Sequence, residues 1–324
     1  MSDHHIRLLS WRLYVDPECL AAFERETGIG VEEVTILSDD DCLRHVRSGE
    51  AFDVVLNSEY CASVLIREGL VQPLDLARLP NFALVTDPTF RSPPFDPGTG
   101  GVKYTTVNFC GTMGFCVHLD RVVHPTNSWR MLFDEAYRGQ ITMLGDARQV
   151  LASALYLLGS DCNCTDRALI DEATEMLVAQ RALVSVYTSD EDLGPLLEKG
   201  AAIVVCYNGD VALALRNGAT GLAFMLPQEG YNLWMDAPLI PANAPYPEAA
   251  HLLLDFLMRP EIGAQNGDYS GYLPAIDAAE ARLKSLVQRS LRPLDTQIAR
   301  GVFQRDLGEF NQVYEEAFRK ILAS

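Results

Sequence analysis

No run of about 18 apolar residues occurs in the 324-residue chain, so no stretch reads as a membrane-spanning helix. Positive charge is also scarce. With 26 Lys and Arg against 44 Asp and Glu, the formal charge is −18, which excludes the basic face that a nucleic-acid partner requires. The acidity fits a cationic ligand or docking partner, and it also serves solubility. The patterns HExxH and GxSxG and a phosphate-binding glycine loop are all missing, which removes the common hydrolase and nucleotide-dependent classes. The eight cysteines, Cys19, Cys42, Cys61, Cys110, Cys116, Cys162, Cys164 and Cys206, lack zinc-ligand spacing, so neither a metal site nor a cofactor is expected. There is no internal repeat. The opening MSDHHIRLLSW carries neither a basic n-region nor an apolar h-region, so a secretory leader is not expected within these residues.

What is present reads as an α/β protein. A chain of 324 residues exceeds the usual size of one core and predicts two lobes, and a hydrophobic content of 48% with mean hydropathy +0.03 is that of an ordinary globule. Residues 6–11, 31–37 and 52–56 are predicted strands. They alternate with helices at 17–27, where Leu20 and Phe23 turn inward, at 39–48 and at 59–68, each closed by a glycine. This βαβαβα order predicts a parallel sheet with right-handed crossovers. Its strand exits carry Trp11 and Tyr14, then Ser58 and Tyr60. The segment 88–101, centred on PPFDPGTGG, is a loop. From Gly114 the pattern restarts, with strands at 142–144 and 184–186, a helix at 147–158 capped by Asp146, and helices at 166–180 and 190–199. Helices at 247–258, from 260, at 277–287 and at 306–322 complete the chain.

The stretch 201–244 concentrates the chemistry. Residues 202–206 read as a central strand of a parallel sheet, with Tyr207 and Asp210 where that strand meets a helix, the edge at which open α/β sheets bind ligands. Trp234-Met235-Asp236 sets an aromatic plate two residues from a carboxylate, a pairing suited to an organic cation. The alternative is that Trp234 is core and Asp236 caps a turn.

Blocks along nearly the whole chain resemble the bacterial periplasmic spermidine/putrescine-binding proteins, the solute-capturing subunits of polyamine ABC importers. They are SWRLYVDP, FERETGI, FDVVLNSEYCASVLIREGLVQPLD, GDARQVLASALYLLG, CYNGDVALALRNG, PQEGYNLWMDAPLIPANA, FLMRPEIG and SGYLPA. The resemblance implies a two-lobed clamshell of the type II periplasmic-binding-protein fold, each lobe a mostly parallel sheet flanked by helices, with the ligand cleft between lobes. The expected lobes are 1–112 plus about 242–300, and 113–241 plus about 301–324. Carried over by motif, the implied aromatic wall is Trp11, Tyr14, Tyr60 beside Ser58, Tyr207, Trp234 and Tyr272. The implied acids are Asp146, Asp210 and Asp236, and Gln304 in FQRDLG matches a late glutamine that reaches the ligand.

Two positions depart from the family pattern. Leu13 stands where a polar or acidic residue is usual, and Gln149, a further ligand-site position, replaces a glutamate, so the site is expected to favour a smaller or less charged amine over spermidine. The implied partners are a small-molecule amine and inner-membrane ABC permease subunits, with the chain itself a monomer. A periplasmic location is implied, with a leader already removed, whereas eight cysteines without a framework suit a reducing cytoplasm. A ligand sensor of the same fold is an alternative. An enzyme would need Cys206, Cys110 or Cys116 as nucleophile, and since none has a histidine near it in sequence, no catalytic residue is expected.

Overall fold

The computed structural model describes residues 5–188, 193–284 and 295–324. Its strands are β1 (His5–Trp11), β2 (Gly30–Ile36), β3 (Val54–Val55), β4 (Phe109–His118), β5 (Ile141–Leu144), β6 (Val184–Thr188), β7 (Ile203–Tyr207), β8 (Leu222–Met225), β9 (Asn232–Met235), β10 (Leu273–Pro274) and β11 (Val302–Phe303). Helices of nine or more residues are α1 (Pro17–Thr27), α2 (Asp39–Arg47), α3 (Glu59–Arg67), α4 (Ala147–Leu157), α5 (Arg167–Gln180), α6 (Asn208–Arg216), α7 (Pro247–Leu257), α8 (Pro260–Ser270) and α9 (Asn311–Leu322). The chain divides into two compact units, Met1–Cys110 with Trp234–Arg289, and Gly111–Leu233 with Ser290–Ser324. Trp234 and Asp236 therefore belong to the first unit.

In the first unit, β1 pairs in parallel with both β2 and β3, giving the order β2-β1-β3 that successive right-handed crossovers produce. Each helix start has a chemical cause. Asp16, with Pro17 behind it, accepts from the Glu18 amide at α1, and Ser38 and Ser58 do the same for α2 and α3. Gly28 ends α1 at φ 72°, a conformation that costs glycine nothing. The inward face of α1 is Cys19 and Phe23, while the expected Leu20 is only half-buried: Phe23 is inward as expected, and its buried partner is one turn back at i−4 instead of i−3. Leu9, Ile36, Phe52, Val55, Leu65 and Leu239 join one apolar cluster beneath these helices. The loop around PPFDPGTGG is pinned by a buried ion pair, with Lys103 Nζ 3.2 Å from Asp96 Oδ2. That same oxygen accepts from the Thr105 amide at 2.8 Å and its hydroxyl at 2.7 Å.

The second unit is built on the order β11-β9-β4-β7-β5-β6, with β8 also on β4. The expectation of a central parallel strand at 202–206 needs correction. β7 is parallel to β5 but antiparallel to β4, because an apolar run reports burial on both faces and says nothing of a neighbour's direction. Trp129, Leu151, Leu155, Leu177, Ile203 and Tyr314 lie in the larger core of this unit, and Cys116, Val204, Cys206 and Val211 in a smaller one. The helix expected at 190–199 is seen as Leu193–Glu198, and 190–192 lie outside the described residues. The helix expected at 277–287 is seen as Asp277–Glu280, and 285–287 lie outside as well.

Candidate functional site

The first unit gathers Trp11, Tyr14, Tyr272, Trp234 and Asp236. The loop after β1 is clamped at its far end, where the Asp16 amide donates to Asn266 Oδ1 at 2.9 Å and Gln265 Nε2 donates to Asp16 Oδ2 at 2.9 Å. Within that loop Leu13 has φ 61°, the one non-glycine positive φ among the described residues, and is 61% exposed. A left-handed leucine is a strained choice, and it turns the chain after Trp11, the last residue of β1, so that Tyr14 packs inward. The Tyr14 ring meets Phe109 edge-on, with centroids 5.0 Å apart and planes at 84°, and lies 5.7 Å from the ring of Tyr272. Tyr272 in turn meets Trp234 at 5.1 Å and 79°. Such edge-to-face pairs hold ring orientation.

Asp236 follows Trp234 by two residues and is 4% exposed. Its amide donates to the Phe109 carbonyl at 3.0 Å, and an antiparallel bridge pairs it with Ser58, so its backbone position is fixed from two sides. No donor among the described residues reaches Asp236 Oδ2. Burial pushes its carboxyl well above the usual range, opposed by a hydrogen bond from Trp11. Desolvation wins because an indole N–H carries no charge to set against the carboxylate. The arrangement is a buried acid beside aromatic faces, chemically suited to an ammonium on an alkyl stem.

Ser58 and Tyr60 have other duties in this structure. The Ser58 hydroxyl donates to Asp39 Oδ1 at 2.6 Å and accepts from the Cys61 amide at 3.0 Å, tying the starts of α2 and α3 together. Tyr60 is half-buried and packs on the first unit's apolar cluster.

In the second unit Asp146, Gln149, Tyr207, Asp210 and Gln304 fall into two groups. Asp146 is exposed and caps α4, accepting from the Gln149 amide at 2.8 Å. Gln149 continues into a chain of side chains. The Tyr156 hydroxyl donates to Asn232 Oδ1 at 2.8 Å, Asn232 Nδ2 donates to Gln149 Oε1 at 2.6 Å, and Gln149 Nε2 donates to Gln304 Oε1 at 3.2 Å. The other group is Tyr207 and Asp210 at the β7-to-α6 turn, where Asp210 Oδ2 accepts from the Tyr207 amide at 2.8 Å. Beside it, Asn208 Oδ1 accepts from the Thr112 amide at 3.1 Å.

Phe109, Tyr156 and Asn232 were not expected from the sequence. Phe109 is one aromatic among the apolar residues of β4 and carries no local mark. Asn232 had a signal, a polar residue heading the apolar run NLWM.

The thiols do not have the character of nucleophiles. Burial pushes Cys206 far up and Cys116 up to about 12, so both are protonated at neutral pH. Among the described residues no three His, Cys, Asp or Glu side chains are grouped to hold a metal, and no helix is long and apolar enough to cross a membrane.

Comparisons with known proteins place these observations. The family model described as bacterial extracellular solute-binding protein matches residues 18–290. A spermidine/putrescine-binding periplasmic protein of Salmonella typhimurium is 32% identical over 319 residues, covering 97% of this chain and 90% of that one. A putrescine/agmatine-binding protein of Pseudomonas aeruginosa is 28% identical over 305 residues, covering 89% and 81%. Among solved structures, a Listeria monocytogenes protein assigned to spermidine/putrescine ABC transport is similar with a TM-score of 0.90 at 28% identity, covering 98% of this chain and 99% of that one.

Proposed function

Since the chain belongs to the bacterial extracellular solute-binding proteins, in the family of the spermidine/putrescine-binding periplasmic proteins, we propose that it captures a polyamine or related small organic amine for an ABC importer. The family is one of binding proteins, not enzymes, and has the α/β periplasmic-binding-protein fold. The proposed work is to hold the solute in the periplasm and deliver it to permease subunits in the inner membrane.

The observation that carries the reading is Asp236, a 4% exposed acid with one oxygen that no described donor reaches, hydrogen-bonded by Trp11 and two residues from Trp234, whose ring meets Tyr272. An ammonium group would supply the missing donor and the opposite charge together, and the rings would cover the methylene stem. Trp11, Tyr14, Trp234, Asp236 and Tyr272 are the proposed ligand residues of the first unit, with Ser58 and Tyr60 supporting them. In the second unit the proposed ligand residues are Tyr207 and Gln304. Asp146, Gln149 and Asp210 act there through the backbone and side chains they hold.

Calorimetry with spermidine, putrescine, agmatine and four-carbon monoamines tests this. Micromolar or tighter binding of at least one amine is expected. Trp234→Ala and Asp236→Asn should each weaken it by at least about 2 kcal/mol, as for an aromatic anchor and a desolvated charge partner. Wild-type affinity in both variants would remove the assignment.

A further inference from the structure

The direction of the side-chain chain in the second unit says which end of a hydrogen bond it offers. An amide side chain has one accepting oxygen and one donating nitrogen, so a row of amides has a polarity. Here the row runs Tyr156 to Asn232 to Gln149 to Gln304: the phenol donates to Asn232, and Asn232 and Gln149 each accept through oxygen and donate onward through nitrogen. Reversing one member alone would set nitrogen against nitrogen or oxygen against oxygen, so the row turns over as a whole or not at all. Its first member is buried, and the Tyr156 phenol gives its proton to Asn232. Tyr156 and Asn232 are 4% and 2% exposed, so water does not loosen this end.

At the other end stands Gln304, 7% exposed, with Oε1 already accepting from Gln149. Its Nε2 has two N–H groups for which no acceptor is found among the described residues. A donor fixed in this way repels an ammonium and suits an oxygen.

We infer that the solute meets Gln304 with a hydrogen-bond acceptor, a carboxylate, carbonyl or hydroxyl oxygen, so that it is an amine carrying an acceptor group and not a bare polyamine. The inference rests on the proposed capture of an amine and narrows it. Gln149 is then a positioning residue, because it sets which face Gln304 presents without itself meeting the solute. Gln149→Glu tests that role. A carboxylate at 149 accepts on both sides, from Asn232 and from a reversed Gln304, which turns the Gln304 oxygen outward.

The experiment is competition calorimetry with three probes on one four-carbon stem: putrescine, mono-N-acetylputrescine and 4-aminobutyrate. Wild type is expected to bind the better of the two acceptor-bearing probes at least tenfold more tightly than putrescine. Gln149→Glu should shift that ratio at least tenfold toward putrescine, and Gln304→Glu should shift it the same way. Should Gln304→Glu fail to fold, Gln149→Glu decides alone, because a purely structural role would lower all three affinities and leave the ratio unmoved. Tight putrescine binding with no preference for an acceptor, or an unmoved ratio in Gln149→Glu, overturns this inference and leaves amine capture standing. Binding of no amine by wild type overturns both.

Discussion

At the scale of single residues the sharpest consequence belongs to Asp236. Burial raises its folded-state pKa above the unfolded value near about 4, so between those two values the native chain holds a proton that the unfolded chain has lost. Stability falls as pH rises through that window and is lowest above the folded pKa, where the carboxylate must be buried without a cation. Asp236→Asn keeps the shape and removes the acid. The ligand-free variant should therefore melt higher than wild type at neutral pH, with the gap closing as pH falls to about 4. Thermal scans across that range check it, and a variant less stable at every pH would show that the carboxyl is not a burden. The same group ties binding to protons. An amine that draws Asp236 into its charged form releases a proton, so affinity should rise with pH below the folded pKa. Calorimetry in two buffers of different ionisation enthalpy reads the released proton directly.

At the scale of elements, several acids and hydroxyls of the expected site serve as helix caps. Ser58 caps α3 and Asp146 caps α4, while the Asp210 carboxylate takes the amide at the start of α6. Ser58→Ala should cost about 1 kcal/mol in a urea titration, the usual value of a lost cap. Larger damage is expected at the loop 88–101. Asp96→Ala strands the buried Lys103 ammonium and the Thr105 donors, and should cost at least about 3 kcal/mol in the same measurement. A loss below 1 kcal/mol would mean that the ion pair does not hold this loop. Much of this level was legible in the sequence. Caps, proline starts and glycine stops are local signals, which is why α1, α4 and α5 stand within a residue or two of their expected limits. The direction of β7 was not legible, since it depends on β4, some ninety residues away. Nor was the Tyr156-Asn232-Gln149-Gln304 row, whose members only tertiary structure brings together. The aromatic motifs gave Trp11, Tyr14, Trp234 and Tyr272, yet Phe109, which touches two of those rings, looked like any strand residue.

At the scale of the whole molecule the question is whether eight thiols without a framework are compatible with the oxidising compartment proposed for this chain. None of the eight cysteines is in a disulfide, and seven are buried with Cys110 half-buried. Thiol oxidation and exchange need thiolate and access. Desolvation withholds thiolate, pushing Cys19 and Cys116 up to about 12 and Cys61 and Cys206 well above the usual thiol range. Packing withholds access, since these side chains are 0–1% exposed within the apolar interior of each unit. On that argument the thiols act as small hydrophobes, and their number is compatible with the proposed periplasmic site of capture. A chromogenic disulfide reagent should therefore label at most one thiol per chain within minutes in the native state, that of Cys110. After denaturation without reductant it should label all eight. Several fast native thiols would contradict the burial and favour a reducing cytoplasm. Fewer than eight after denaturation would instead reveal disulfides formed in the cell, in which case the thiols were reached by an oxidant despite their packing.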